Sequence, residues 1–362
     1  MGPLTSLDAL QVYKGKKVFI TGHTGFKGSW MTSLLVRLGA DVTGYALPPA
    51  TSKNHFDLLG LQDQITHIEG DIRDAAKLAE ALASDEFDIA FHLAAQALVR
   101  RSYQDPVETY ETNVMGSVNL LEAVRQNESI RTLIYVTSDK CYENNEWIWG
   151  YRETDPMGGH DPYSSSKAAA ELIFSTYQRS FFHDRPNFGA ATVRAGNVIG
   201  GGDWAQDRII PDCVRAIEAR KVIELRNPSA TRPWQHVLEP ISGYLLLGGN
   251  MYSAPETYRG AWNFGPSSSE SLTVGEVAHK MVEIFEQGSV SAPEAVVHQH
   301  EAQLLQLNCD KAHQLLKWQP RWGAMRTLTE TAGWYKDVGR GMLARDVTRN
   351  QLEAFFTELA KL

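Results

Sequence analysis

Two short strings in this sequence combine side chains that can move protons. Tyr163 and Lys167 stand four residues apart, so on a helix the phenol and the ammonium lie on one face. A cation beside a phenol favours the phenolate, which makes Tyr163 a candidate base although a free tyrosine has a pKa of about 10. An ordinary exposed pair on a helix shows the same spacing, so this interpretation needs support from elsewhere in the chain.

The second string is Thr137-Ser138-Asp139-Lys140, which follows the apolar run of residues 133–136. Such a run predicts a buried strand. The string therefore places a hydroxyl, a carboxyl and an amine at the carboxyl end of a strand. In open α/β sheets this edge is where ligands bind.

A glycine-containing segment near the N-terminus predicts a site for phosphate groups. Residues 16–21 are a predicted strand and residues 30–38 a predicted helix, and Gly22, Gly25 and Gly28 lie between them. Glycines there allow a tight turn, close approach of the backbone to a pyrophosphate and close packing of helix on strand. The helix N-terminus adds free N–H groups and a partial positive charge. An ordinary glycine-containing turn is the alternative, and the flanking strand and helix argue against it.

The elements that must position these residues alternate along the first half of the chain. Alternating strands and helices predict an α/β fold with a Rossmann-type, doubly wound parallel sheet. We expect a dinucleotide-binding domain over residues 1–198 and a smaller C-terminal substrate-binding lobe over 199–362, with a return to the first domain near 235–265. The later predicted strands are 41–46, 65–68, 87–93, 133–136 and 189–194, and the main predicted helices are 75–83, 106–125 and 163–182.

Composition excludes several classes of function. The chain has 362 residues, 43% of them hydrophobic and 22% charged, which is typical of a globular protein. A net charge of −8 argues against a nucleic-acid partner, and no apolar run is long enough to predict a membrane span. The first residues lack the features of a signal peptide. Cys141, Cys213 and Cys309 are odd in number and far apart, so we expect neither a disulfide framework nor a metal site, and a cytoplasmic location.

Several strings together resemble the extended short-chain dehydrogenase/reductase family. The resemblance covers residues 16–200 and continues more weakly through Arg232-Pro-Trp234 and Asn263-Phe-Gly265. Thr137-Ser-Asp139 resembles the nucleotide-sugar 4,6-dehydratases of that family, with Lys140 where a glutamate is usual. Ser138-Asp-Lys-Cys-Tyr-Glu-Asn144 is similar to the branch whose substrate is CDP-glucose. The other matching strings are Thr21 to Gly28, Gly70 to Asp74, His92 to Gln96, Asn113 to Gly116, Tyr163 to Lys167 and Arg194 to Asn197.

The resemblance implies NAD as a recycled cofactor. The residues that it assigns to cofactor binding are Gly22, His23, Thr24, Gly25, Phe26, Lys27, Gly28, Asp71, Ile72, Leu93, Ala94, Ala95, Tyr163 and Lys167. One departure concerns the second strand, which ends without an Asp or Glu for the ribose 2′-hydroxyl. His23 and Lys27 could suit a 2′-phosphate, so NADP stays open at this point.

The implied reaction on a nucleotide-sugar substrate, CDP-glucose, has three linked steps. Tyr163, with Lys167 as its electrostatic partner, takes the proton of the 4-hydroxyl while hydride leaves C4. Loss of water across C5 and C6 follows, and the hydride then returns to C6. Ser138 would hydrogen-bond the 4-oxygen, Asp139 would protonate the departing hydroxyl, and Lys140 would remove the C5 proton. The residues expected to bind the substrate are Gln96, Asn197, Arg208 and Arg232.

Alternatives remain at this level. A 4-epimerase or a simple oxidoreductase needs the Tyr163–Lys167 pair but no acid and base for dehydration, and a cofactor-sensing regulator needs none of them. Lys140 could instead be a charged partner of Asp139 or of a phosphate, and His92 is expected to be structural. The resemblance further implies a homodimer through helices 106–125 and 164–182, and pairing of dimers into tetramers stays open. The apolar residues expected in that contact are Val118, Leu121, Leu172 and Phe174.

Overall fold

Seven parallel strands form the central sheet of the protein. The computed structural model describes residues 4–225, 227–267, 271–291 and 304–359. The strands of this sheet are β1 (Lys17–Thr21), β2 (Asp41–Ala46), β3 (Thr66–Glu69), β4 (Ile89–His92), β5 (Thr132–Val136), β6 (Gly189–Arg194) and β11 (Gly260–Asn263). Their spatial order is β11-β6-β5-β4-β1-β2-β3, so the direction of winding reverses between β1 and β4. The doubly wound parallel sheet is thus confirmed, and loops that follow β1 and β4 meet at its switch point.

Helices cover both faces of the sheet. The helices are α1 (Ser6–Gln11), α2 (Phe26–Arg37), α3 (His55–Leu58), α4 (Ala75–Ala83), α5 (Val99–Gln104), α6 (Pro106–Tyr110), α7 (Gly116–Gln126), α8 (Pro162–Tyr177), α9 (Ile209–Glu218), α10 (Leu238–Ser253), α11 (Pro255–Tyr258), α12 (Val274–Phe285), α13 (Ala324–Gly339) and α14 (Ala344–Leu359). One face of the sheet packs on α4, α7 and α8, and the other on α1, α2 and α10. Within the described part of the chain no helix is long and apolar enough to cross a membrane.

Three helical segments contain a turn of π-helix. Glu111–Met115 joins α6 to α7, so residues 106–126 form one continuous helical stretch, close to the predicted one. Gln178–Phe182 extends α8, and Ala312–Leu316 precedes α13. A further single turn of 3₁₀-helix, Leu61–Asp63, follows α3.

Short strands and the last helices build the second half of the chain. The short strands are β7 (Val198–Ile199), β8 (Ile223–Glu224), β9 (Thr231–Arg232), β10 (Gln235–His236), β12 (Leu272–Thr273) and β13 (Val290–Ser291), paired as β7 with β10, β8 with β13 and β9 with β12. After β10 the chain returns to the first sheet: α10 packs on β5 and β6, and β11 adds the edge strand beside β6.

The start of α2 differs from the sequence-based prediction. The apolar pattern predicts a helix from residue 30, whereas α2 begins at Phe26, directly after Gly25. The pattern misses the first turn because that turn borders the glycine loop, where Gly25 is exposed and Phe26 and Lys27 are half-buried. The earlier start matters, because it brings the helix N-terminus to the glycine loop.

Two residues expected at a subunit contact lie in the core instead. Leu121 is fully buried and Phe174 is 3% exposed, and both pack under the sheet face that α7 and α8 cover. Leu172, by contrast, is 60% exposed. A helix that packs on a sheet has an inner apolar face, and sequence alone did not separate that face from a second, outer one.

A buried ion pair ties α8 to β6. Arg194 donates to both carboxylate oxygens of Glu171 over 2.8 Å, and the two side chains are 3% and 5% exposed. Thr137 and Thr192 also donate to this carboxylate, over 2.5 and 2.9 Å. Burial alone would raise the pKa of Glu171, but Arg194 and these hydroxyls hold it below its ordinary value of 4.5. The carboxylate is therefore charged and fully hydrogen-bonded at neutral pH.

We expect Glu171→Gln to destabilise the protein by about 3–5 kcal/mol, because it leaves the Arg194 guanidinium buried without its counter-charge. Urea unfolding at pH 7 measures this loss. Since the folded protein holds the pKa of Glu171 below 4.5, the difference from the parent protein is fully present at neutral pH and shrinks as the pH falls below that value. Glu122→Gln is the matched control: its ion pair with Arg125 is exposed and contributes about 1 kcal/mol or less. Equal losses in the two variants would contradict this interpretation.

Candidate active site

The loop between β1 and α2 forms a tight cradle. Gly22 has a φ of +75°, and a side chain there would lie 2.5 Å from the backbone nitrogen of Ala94. A side chain at Gly28 would collide with the Gly22 carbonyl. Gly25 caps the N-terminus of α2 without a side-chain hydrogen bond. Since no side chain intervenes, the first N–H groups of a twelve-residue helix can meet an anion.

The two cationic candidates in this loop do not offer charge to a 2′-phosphate. His23 is buried against His67, with 2.7 Å between ring nitrogens, and burial lowers the pKa of His23 to about 3. It is therefore neutral. Lys27 points inward, where its Nζ lies 3.4 Å from the Tyr244 hydroxyl. The hypothesis that these residues select NADP is therefore wrong for this geometry.

The loop after β4 lies beside the glycine cradle. The backbone N–H groups of Leu93 and Ala94 donate to the Thr21 hydroxyl at the end of β1. His92 also contacts this hydroxyl, at 2.7 Å, and burial lowers the pKa of His92 to about 3. His92 is thus a neutral residue that joins two strand ends, as the sequence suggested. Ala95 completes the loop and is half-buried.

Gln96 uses its side chain within its own loop. Its amide nitrogen donates to the Leu98 carbonyl and the Thr109 hydroxyl, and its amide oxygen accepts from the Leu98 N–H. Asn113 adds hydrogen bonds to the backbone of Gln96. The structure therefore gives Gln96 a role in shaping the loop and leaves its amide without a free group for a substrate.

The turn that follows β5 holds Ser138 and Asp139 in fixed positions. Residues Asp139–Cys141 form one turn of 3₁₀-helix, and the Ser138 hydroxyl accepts from the Lys140 N–H and donates to Asp139 Oδ1 over 3.0 Å. Ser138 and Asp139 are 6% and 5% exposed. Lys140 is half-buried.

The buried ion pair between Glu171 and Arg194 holds both ends of this turn. Thr137 donates to Glu171, and Arg194 donates to the Tyr142 hydroxyl over 2.6 Å. Tyr142 in turn donates to Asn263 on β11. The turn therefore cannot shift without breaking contacts to the buried pair.

Tyr163 and Lys167 lie on the inner face of α8 and are 7% and 5% exposed. Burial raises the pKa of Tyr163 to about 12, and a hydrogen bond with Ser138 and the charge of Arg208 oppose this rise. Burial lowers the pKa of Lys167 to about 8. The expected lowering of the pKa of Tyr163 is thus not seen in the unliganded protein, because desolvation of the phenol outweighs the nearby charges.

Two further cations, Lys27 and Arg208, lie near this pair. Burial, with smaller contributions from the charges of Lys167 and Arg208, lowers the pKa of Lys27 to about 8. Arg208, at the N-terminus of α9, donates to Asp203 over 2.6 Å. The structure thus brings Arg208 close to Tyr163. A concentration of positive charge at a sheet edge suits an anionic ligand.

The remaining predicted residues lie elsewhere around the sheet edge. Arg232 lies on β9 and donates to the backbone carbonyl of Thr231. Asn197 has a φ of +50° and follows Gly196, which contacts the Asp139 carboxyl. Asp71 accepts two hydrogen bonds from the Arg73 guanidinium. Ile72 is buried against Gly116.

These residues fit a dinucleotide. The glycine cradle leaves no room for side chains where phosphates would lie, and the α2 N-terminus faces it. The Lys167 amine makes no hydrogen bond within the described part of the chain, as fits a group that binds the hydroxyls of a ribose. The Thr24 hydroxyl, within the glycine loop, donates to the Leu47 carbonyl beyond β2.

Sequence reasoning missed the residues that position the site. Glu171 is one of them, although it stands four residues after Lys167 and eight after Tyr163, so helical spacing places all three on one face. Ser102 is another: its hydroxyl accepts from the N–H of Tyr163 and fixes the start of α8. No local pattern indicates Ser102, because its partner lies 61 residues away.

Comparisons with known proteins agree with this geometry. Residues 19–331 match the family described as GDP-mannose 4,6 dehydratase. The chain is 48% identical over 333 residues to the CDP-glucose 4,6-dehydratase of Salmonella typhimurium, covering 91% of this chain and 93% of that protein. Among solved structures, it resembles DesIV, a dTDP-glucose 4,6-dehydratase from Streptomyces venezuelae with NAD and TYD bound (TM-score 0.74, 22% identity, 89% and 97% coverage). It also resembles UDP-glucose 4-epimerase from Brucella ovis in complex with NAD (TM-score 0.75, 21% identity, 89% and 99% coverage).

Proposed function

The chain belongs to the GDP-mannose 4,6-dehydratase family, and within it we propose that the protein is a CDP-glucose 4,6-dehydratase. It converts CDP-glucose to CDP-4-keto-6-deoxyglucose, with NAD as a recycled cofactor. The identity of 48% to a relative of that name, over nearly the whole length of both chains, supports the choice of substrate.

One observation carries the reaction class: Asp139, a buried carboxyl, adjoins the hydroxyl of Ser138, which hydrogen-bonds both it and Tyr163. Oxidation at C4 needs only a base and a hydride acceptor. Loss of water from C6 also needs an acid at the departing hydroxyl, because hydroxide is a poor leaving group. The site holds such an acid within reach of the base.

The residues of α8 serve the first step. Tyr163 accepts the proton of the 4-hydroxyl, and Ser138 donates a hydrogen bond to the resulting 4-oxygen. The Lys167 amine binds the nicotinamide ribose and lends positive charge. NAD, held by the glycine cradle and Lys167, would supply the hydride acceptor for C4 and the hydride donor for C6. Because the pKa of Tyr163 is about 12 in the unliganded protein, the positive charge of the bound cofactor is needed to favour the phenolate.

The turn after β5 serves the second step. A ketone at C4 acidifies the C5 proton, which Lys140 removes, while Asp139 gives its proton to the hydroxyl that leaves C6. Lys140 then returns a proton to C5 as hydride reaches C6. Arg208 and Lys27 supply the positive charge that faces the diphosphates. Asn197 and Arg232 remain candidates for the substrate diphosphate or ribose.

The function is tested by incubating the purified protein with NAD and, in separate reactions, the glucose conjugates of CDP, dTDP, UDP and GDP. A 4-keto product that forms with CDP-glucose, and far more slowly with the others, supports the proposal. Interconversion of C4 epimers without a keto product would favour a 4-epimerase. NAD binding with no turnover of any of these sugars would favour a cofactor-sensing regulator.

We expect Tyr163→Phe to lower the rate of C4 oxidation by about 10²–10⁴-fold, because only the proton acceptor is lost and the ring remains. Stopped-flow absorbance of NADH measures this step. Tyr177→Phe, at the far end of the same helix, is the control and should keep the native rate. Near-native oxidation by the Tyr163 variant would reject Tyr163 as the base.

We expect Lys140→Met to separate oxidation from dehydration. The variant keeps most of the side-chain length but lacks the amine, so hydride still passes from C4 to NAD and the C5 proton stays. Transient NADH absorbance should appear, and no deuterium should enter C5 from heavy water. Asp139→Asn should show the opposite pattern, in which C5 exchange persists and loss of water slows. Native exchange at C5 in Lys140→Met would assign the base to another group.

The protein also assembles, in this proposal, as a homodimer through the outer faces of the helices around α6 and α8. Five large apolar side chains are exposed there: Val107, Tyr110, Met115, Leu172 and Phe181, with exposed fractions of 41–64%. Two such faces can pack as a four-helix contact. We place the enzyme in the cytoplasm, where its three buried, free cysteines stay reduced.

We expect Leu172→Asp to weaken the dimer, because it puts a charge at the centre of the apolar face. Sedimentation velocity at micromolar concentration measures the shift from dimer to monomer. Leu343→Asp, at an equally exposed leucine between α13 and α14, is the matched control and should leave the dimer intact. A parent protein that sediments as a monomer would contradict the proposal.

A further inference from the structure

A narrow, partly open cleft lies beside Asp139. Its walls include Asp139, Gly196, Gln235, Gly265 and Leu307, and it has a volume of about 10 Å³. That is room for one water molecule. The mechanism described above gives this space no role.

Gln235 presents an unpartnered acceptor in the wall of this space. It is fully buried, and its amide nitrogen donates to the carbonyls of Gly196 and Phe264 over 3.0 and 3.1 Å. These two bonds fix the orientation of the amide, because the reversed amide would set its oxygen against two carbonyls. The amide oxygen Oε1 has no hydrogen-bond partner in the described part of the chain. A buried acceptor without a donor destabilises the folded protein, and an ordered water usually supplies the missing hydrogen bond.

Asp139 borders the space through one particular oxygen. Its Oδ1 accepts a hydrogen bond from Ser138. Its Oδ2 lies against Gly196, in the place that a side chain on residue 196 would need. The charged and titratable groups that act on Asp139 or feel its charge are Lys27, Cys141, Tyr163 and Tyr244. Oδ1 thus contacts Ser138, and Oδ2 lies beside Gly196, whose carbonyl accepts from Gln235.

We propose that this space holds one water molecule, which donates one hydrogen to Gln235 Oε1 and the other to Asp139 Oδ2. A water that donates to Oδ2 makes Oδ2 the carbonyl-like oxygen of the protonated acid, so the proton resides on Oδ1. The Ser138 hydroxyl, which donates to Oδ1 of the carboxylate, then turns to accept from the Oδ1–H group. The role of this water in placing the proton of Asp139 rests on the proposed dehydratase function, whereas the existence of the water site does not. Gln235 is then a positioning residue, since it acts on the substrate only through Asp139.

The proton count of the reaction agrees with this placement. Over one turnover Tyr163 gains the proton of the 4-hydroxyl, and Asp139 gives one proton to the hydroxyl that leaves C6 as water. One proton must therefore pass from Tyr163 to Asp139 before the next turnover. Ser138 hydrogen-bonds both residues and contacts Asp139 at Oδ1. The bridging water keeps this oxygen as the one that receives and delivers the proton.

A crystal structure of the full-length parent protein tests the water site directly. We expect one ordered water within hydrogen-bond distance of both Gln235 Oε1 and Asp139 Oδ2. An empty space, or one that a side chain closes, would overturn the proposal. This test is independent of substrate, so a protein that fails to make a 4-keto sugar would reject the proposed function and leave the water site standing.

Gln235→Met tests whether Gln235, through the bridging water, positions the proton of Asp139. It keeps the length of the side chain but removes the acceptor, together with the N–H groups that donate to Gly196 and Phe264. We expect loss of water to slow about tenfold while C4 oxidation stays within about twofold. Bound NADH should then accumulate during turnover. A purely structural effect would slow both steps together, and that result, like an unchanged rate of water loss, would overturn the role.

A second variant covers the case in which Gln235→Met does not fold. Gly265→Ala adds a methyl group to the wall of the space at ordinary contact distance, 3.5 Å from Cys309 Sγ, and leaves Gln235 intact. It should displace the water and give the same accumulation of NADH. Gly333→Ala, where an added methyl meets nothing within 4 Å, is the control and should behave as the parent protein. Equal behaviour of the two alanine variants would count against the proposal.

Discussion

The ion pair between Glu171 and Arg194 is the constraint on which the site depends. It lies beneath the carboxyl edge of the sheet and joins α8, which carries Tyr163 and Lys167, to β6. Through Thr137 and Tyr142 it also holds both ends of the turn that carries Ser138 and Asp139. Buried pairs gain little net stability over well-packed apolar residues, but breaking one is costly. Its value here lies in fixing, relative to each other, the two strings that carry the proposed catalytic residues, about 25 residues apart in sequence.

Electrostatics gives the site a second property, a concentration of positive charge on buried and half-buried side chains. Burial lowers the pKa of both Lys27 and Lys167 to about 8, because it raises the free energy of their charged forms in the unliganded protein. The diphosphates of a dinucleotide and of a nucleotide sugar would stabilise these charged forms, because each brings negative charge to the same edge of the sheet. In the proposed mechanism the same charges, together with a cationic nicotinamide, would favour the Tyr163 phenolate when the cofactor is bound. In this proposal, catalysis is therefore coupled to occupancy of the cradle.

The sequence predicted the parts of this site that local pattern determines. Buried runs predicted β2 and β6 with correct bounds, and glycine spacing predicted the cradle. Contacts that join distant segments could not be predicted in this way. The free acceptor on Gln235 exists because β10 pairs with β7 and turns the amide toward Gly196 and Phe264. The high pKa of Tyr163 and the closed hydrogen bonds of Gln96 likewise depend on how tightly neighbouring elements enclose them.

The central claim is that one enzyme removes hydride from C4 and returns the same hydride to C6 across a dehydration. CDP-glucose carrying deuterium at C4 tests it most directly. After turnover with unlabelled NAD, we expect the product to be the 4-keto-6-deoxy sugar with the deuterium at C6, as shown by mass spectrometry and NMR of the methyl group. Deuterium that remains at C4 of an epimerised sugar, or that is released into free NADH, would contradict the account.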